Sequence, residues 1–212
     1  MNWPWVLLAV AVVLALIFLL FLLWGRASRL DRLHRKVVAT RVALDGQLLR
    51  RAIAASELAT SALLDPASAV LVAGASYAVI DLGDDTQAPA SSNGQFALDG
   101  LSSARESLES ELSATVRQAL DDDEIAAIRA TTSGAEMLDH LAAAWYRAQL
   151  ARRFHNDAVF QAQRARRHWW VRLFRLAGNA PMPGTAELDD QLPDSLASAS
   201  QTAREAAATP RT

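Results

Sequence analysis

The chain has no cysteine among its 212 residues, which removes disulfides, thiolate metal sites and cysteine nucleophiles together. No Lys or Arg precedes Arg26, so the positively charged start of a secretory leader is missing. Glycine and proline are sparse, 9 and 7 residues, and no stretch has the spacing of a phosphate loop or a dinucleotide fingerprint. Nowhere does the strict two-residue alternation of a half-buried strand persist. No Ser-His-Asp ordering marks a hydrolase. A di-iron bundle needs Glu-x-x-His on two helices, and Glu136–His140 is a single four-residue couple. These absences argue for a protein that is not an enzyme, with no catalytic residue, metal or cofactor assigned.

One long apolar run is present. "WVLLAVAVVLALIFLLFLL", Trp5 to Leu23, has no polar side chain. Its length approaches the roughly 20 residues that a helix needs to cross about 30 Å of hydrocarbon. Trp3, Trp5 and Trp24 stand at its two edges, where indole favours the interface. No A-x-A-like cleavage site follows, so residues 5–24 read as a retained anchor, with 1–4 outside. Arg26, Arg29, Arg32, Arg35 and Lys36 come next. The positive-inside rule then places the downstream domain in the cytoplasm of a single-pass plasma-membrane protein.

A net charge of −2 conceals segregated blocks. Residues 26–60 hold eight Lys/Arg and three Asp/Glu, residues 65–139 three and fourteen, and residues 147–175 eight and one. Such blocks describe surfaces and partners, and their complementary signs suit self-association or a charged protein partner. A nucleic-acid partner is not expected, because no reading motif accompanies the arginines.

From Leu30 the period is helical. Leu33, Val37, Leu44, Leu48, Ala52 and Ala55 form a narrow apolar stripe on a helix that "LDPAS" ends near residue 64, with Asp65 capping the next. A second helix over 67–82, a loop over 83–94, a third helix carrying Leu98, Leu101, Leu108, Leu112, Val116 and Ala119, and a short piece opened by "DDDE" follow. "SGAE", 133–136, has capping-box spacing, and a long helix runs from there to about residue 176. Its stripe is Leu138, Leu141, Trp145, Ala148, His155 and Val159, so His155 reads as packed core. The tail, 177–212, lacks periodicity and reads as disordered. The expected fold is all-α: an antiparallel four-helix bundle of long helices, residues 26–176, on a single N-terminal transmembrane helix.

Two stretches resemble the bacterial LemA family. In "LHRKVVATRVALDGQLLRR" the matching residues are Leu33, Val37, Leu44, Asp45, Gln47, Leu48, Arg50 and Arg51, and "ARRFHNDAV", 151–159, is similar to a second family motif. The chain departs from the family at Ala27-Ser28, Ser56-Glu57-Leu58 and Ala144-Trp145-Tyr146, which marks a divergent member. The resemblance implies a cytoplasmic helical bundle on one anchor and little about activity. Asp45, Gln47, Arg50, Arg51, Arg152, Arg153, Asn156 and Asp157 are then either a recognition surface or polar networks in which Asp45 or Asp157 pairs arginines across the bundle.

The final helix holds a second candidate. At 100° per residue Trp169, Trp170, Leu173, Phe174 and Leu176 share one arc, with Arg172 and Arg175 opposite and Arg166 and Arg167 near the apolar side. That is the pattern of a helix end lying on anionic lipid headgroups; the alternative is that the aromatics close the core. The expectation is a non-enzymatic scaffold or interaction module at the inner face of the plasma membrane. An accessory subunit of a membrane enzyme or protease is the second reading, and an unrecognised hydrolase the third.

Overall fold

In the computed structural model residues 3–87, 100–168, 182–194 and 196 are described. Among them the regular structure is helical and no strand occurs. The helices are α1 (Trp3–Thr60), α2 (Pro66–Gln87), α3 (Ser103–Ala119), α4 (Asp122–Arg129) and α5 (Thr132–Arg166).

Local chemistry explains the breaks. Past the end of α1, Ala62 sits in the left-handed region at φ 61°, which turns the chain away from the helix axis. The Asp65 carboxylate then accepts the backbone N–H groups of Ala67 and Ser68, and Pro66 takes the first helical position, where no N–H is needed. Ser102 caps α3 through the Arg105 N–H, and Asp121 caps α4 through the Glu124 N–H. Asp122, Asp123 and Glu124 fill the first turn of α4, on the positive end of its dipole. The cap of α5 is Thr131, which accepts the Gly134 N–H, so the capping box expected at 133–136 is two residues late. The reason lies in Gly134, whose missing Cβ would strike the Ile128 carbonyl. The first turn of α5 therefore packs directly on the end of α4.

α5 runs along α1 in the opposite direction. Going up α1 and down α5, Lys36 Nζ donates to Gln161 at 3.1 Å, Thr40 meets His155 Nδ1 at 3.3 Å, and Glu57 faces His140 at 3.6 Å. α2 packs on α1, and α3 on α2. The described apolar stripes point inward as their spacing predicts. Val37, Leu44, Leu48, Ala52 and Ala55 on α1, Leu112 and Val116 on α3, and Leu138, Leu141, Trp145, Ala148, His155 and Val159 on α5 are all buried. Burying one such Leu or Val removes on the order of 2 kcal/mol of apolar hydration cost. The largest cluster gathers Leu58, Val72, Val79, Leu112, Ile128 and Trp145 from all five helices.

Two apolar helices behave differently. Pro66–Gly83 of α2 is long and apolar enough, by length and composition, to cross a membrane. It lies mid-chain, with Val72, Ser76 and Val79 buried and Val70, Leu71 and Tyr77 exposed. At the start of α1, Trp5–Phe18 is a shorter apolar stretch by the same measure.

Residues 182–194 correct the sequence reading of a disordered tail. They lie as an extended strap across α3 and α5, with Pro183, Ala186, Leu188, Pro193 and then Leu196 buried. Lack of periodicity is also what an extended segment shows when its main chain is bonded to side chains. The strap passes beside Gly100, at φ 79°, where a Cβ would sit 3.0 Å from the Thr185 carbonyl oxygen. The helix expected to reach residue 176 ends at Arg166 among the described residues. The candidates Trp169, Trp170, Arg172, Leu173, Phe174 and Arg175 lie outside them, as do residues 88–99 of the expected loop and third-helix start.

Candidate functional site

The site grows from one buried arginine. The heptad-like stripe of α1 leaves Arg51 between Leu48 and Ala55 on the inward side, fully buried. An unpaired charge there would cost several kcal/mol. Its guanidinium instead donates to Glu109 Oε2 at 2.6 Å, to the Glu109 carbonyl at 3.0 Å and to Ser113 Oγ at 3.1 Å. The plane lies over Trp145, 4.5 Å from the ring centroid, so the cation also gains the indole face. Arg105 Nε holds the other Glu109 oxygen at 2.8 Å. Both Arg105 and Glu109 are buried, which among the described residues leaves two cations against one anion and a positive local field.

The strap meets that field with acids. Asp189 pairs with Arg117 at 2.5 Å, and Asp190 makes a two-pronged pair with Arg152 at 2.7 and 2.9 Å. The hydrogen bond from Arg117, aided by the charge of Arg51, holds the Asp189 carboxyl below the usual range. The strap main chain is bonded at Pro183, Ala186, Glu187, Asp189, Asp190 and Gln191. Its Asp190 carbonyl accepts from Trp145 Nε1 and Gln149, at 2.8 and 2.7 Å. Asn156 accepts the Ala186 N–H at 2.9 Å and donates to the Ala186 carbonyl at 3.2 Å. Gln163 reaches the Pro183 carbonyl, Ser113 the Asp189 carbonyl, and Ser110 accepts the Asp189 N–H.

The eight motif residues therefore divide. Arg51, Arg152 and Asn156 are drawn into this seam. Asp45 pairs with Arg41 one turn away on its own helix, at 3.0 Å, and Arg51 takes its anion from Glu109; the expected Asp45 pairing across the bundle does not form. Arg50, Arg153 and Asp157 are exposed. Gln47 and Asp157 line a separate groove of about 550 Å³ with Leu150 and Phe154. Arg166 and Arg167 sit at the end of α5, and the charge of Arg166 bears on His34 of α1. Burial is the larger cause that lowers the His34 pKa. His155 is fully buried and its pKa is likewise lowered, first by burial and then by Arg41.

Sequence reasoning missed Arg105, Glu109, Ser113, Arg117, Asp189 and Asp190. The four-residue Arg105–Glu109 step was available but is ordinary on a solvated helix face. "AELDD" between Pro183 and Pro193 was the visible hint of an anchored extended segment. Chemically the seam recognises carboxylates and main-chain amides. It places no nucleophile beside a base, and no group of three His, Asp or Glu able to hold a metal occurs among the described residues. No protein-family model, no curated protein and no solved structure matches the chain.

Proposed function

We propose that the chain is a non-enzymatic, LemA-like scaffold: an antiparallel four-helix bundle held by an N-terminal anchor at the inner face of the bacterial plasma membrane. The observation that carries this reading is the start of α1. Trp5, Val6, Leu7 and Leu8 are consecutive, so they face every direction around the helix, and each is more than half exposed. The same holds for Leu14, Leu16, Ile17 and Phe18. An all-round apolar helix without protein cover finds its cover in lipid. The bundle also returns to that end. Lys36 meets Gln161, and Arg164, Arg166 and Arg167 follow on α5 toward the first residues of the soluble part, where a basic group suits anionic headgroups.

α2 passes the same compositional test, but its buried Val72 and Val79 pack with α1, α3 and α5 residues, which supports a bundle helix. Its exposed Val70, Leu71 and Tyr77 favour one second reading, an accessory subunit that docks on a membrane enzyme or protease. The leading reading is tested with the full chain in sealed inverted and right-side-out vesicles. The chain should resist alkaline extraction, and added protease should remove the bundle only where the cytoplasmic face is accessible. Release by alkali refutes the anchor, and digestion from the opposite side refutes the orientation.

A further inference from the structure

The α3–α5 groove reads a main chain more than a sequence. Trp145, Gln149, Asn156, Gln163, Ser110 and Ser113 all bond to strap backbone. Side-chain chemistry is demanded at few strap positions: Ala186 and Leu188 are buried, Asp189 meets Arg117 and Asp190 meets Arg152. Residues 187–194 carry Glu187, Asp189, Asp190 and Asp194 and no Lys or Arg; Arg117 and Arg152 of the groove pair with two of these acids, and Glu106 accepts the Glu187 N–H. Backbone bonding plus a few side-chain pockets is how proteins take up extended peptides.

We infer that this groove is a binding site for an extended acidic segment in trans, and that the segment is residues 182–194 of a second copy of the chain. Each groove contact is the same whichever copy supplies the strap, so exchange costs little in contacts. The ion pairs that hold it lie at the rim. Side-chain exposure is 30% and 35% for Arg117 and Asp189, and 25% and 13% for Arg152 and Asp190. Arg51 and Arg105 keep their bonds to Glu109 on α1 and α3 whichever copy supplies the strap. The excess positive charge that a departing strap leaves is met again by the strap of the second copy.

The choice between own and neighbouring strap then follows effective concentration. The strap and its groove belong to one chain, so contact within the chain forms at an effective concentration on the order of millimolar. In dilute solution the chain's own strap fills the groove. Copies confined to one face of a bilayer reach comparable local concentrations, and straps exchange between them. This step rests on the proposed anchor.

The absence of native cysteine provides the experiment. Full-length Asn156→Cys and Ala186→Cys chains are reconstituted together in vesicles and mildly oxidised, since these two residues bond to one another in the groove. A mixed disulfide dimer is expected, rising with the protein-to-lipid ratio and lost when the Ala186→Cys chain also carries Asp189→Lys and Asp190→Lys. A doubly substituted N156C/A186C chain, diluted, closes its bond within one chain. Mixed dimer absent at every ratio while the double variant closes overturns the inference. So does a mixed dimer indifferent to the lysines, which reports collision alone, and so does failure of the double variant to close. Chains that do not float with vesicles refute the anchor instead, and exchange is then read from a concentration series in solution, where its absence again overturns the proposal.

Discussion

Residues 5–18 of α1 and 66–83 of α2 are both aliphatic helical stretches with almost no charge, yet the protein gives them opposite surroundings. Around residues 5–18 of α1 the described apolar side chains are exposed on all sides. In α2 one edge, Val72 to Val79, is buried in the largest core cluster, and only the opposite edge is bare. Average hydropathy does not distinguish a helix that wants lipid from one that wants neighbours; the angular distribution of cover does.

The largest effect should come from the buried edge of α2. Val79→Arg places an unpaired cation among Leu58, Trp145 and their neighbours, and should cost on the order of 4 kcal/mol or more. A thermal melt in detergent that stays within a degree of the native chain would mean α2 is not a bundle helix. Next is Leu14→Arg, which should cost about 3 kcal/mol of membrane insertion and leave the bundle's melting temperature unchanged. Retained resistance to alkaline extraction in a variant with Leu14→Arg and Ile17→Arg together would move the anchor elsewhere.

Acidification should have a smaller effect, confined to the α1–α5 side. The lowered pKa values of His34 and His155 mean that the unfolded chain binds protons first. Stability is full above the ordinary imidazole value of about 6.5 and falls as pH drops below it. Melting temperature should decline between pH 7.5 and 5.5, and His155→Leu should flatten the slope; an unaltered slope assigns the titration to other groups. Arg41 on α1 adds to the lowering at His155, while the Gly184 main chain on the strap and Asp45 on α1 oppose it without reversing it. The smallest effect is Val70→Arg on the bare edge of α2, within about 0.5 kcal/mol by denaturant titration. A cost of several kcal/mol would show that edge to be covered in the protein tested.

Helical periodicity made the core legible in advance: Val37, Leu44, Leu48, Leu138, Leu141, Trp145 and His155 all point inward because spacing at three and four residues has one geometric consequence. The Asp65 cap and the start of α4 were equally readable, since carboxylate caps act within a few residues. The capping of α5 was misplaced because Gly134 answers to α4, a tertiary contact. Beyond the hint in "AELDD", the strap was hard to read for a related reason. Its stability comes from side chains on α3 and α5, far away in sequence, and its own pattern of Ala, Leu and Asp looks unstructured in isolation. Arg51 was singled out from a motif, but its partner Glu109 belongs to a block that reads as solvated acid. Local rules capture caps and stripes; pairing between distant blocks needs the fold.

The uninterrupted course of α1 from Trp3 to Thr60 has a mechanical consequence. No break in the helix, even at Gly25, separates the part read as lipid-embedded from the part that frames the core, so the bundle stands like a mast rather than swinging on a leash. From residue 25 to 60 the rod spans about 54 Å, and a lean of about 10° at its foot carries the top sideways by roughly 9 Å. With the proposed anchor, thinning or thickening of the bilayer, which tilts embedded helices, would thus sweep the whole bundle along the surface.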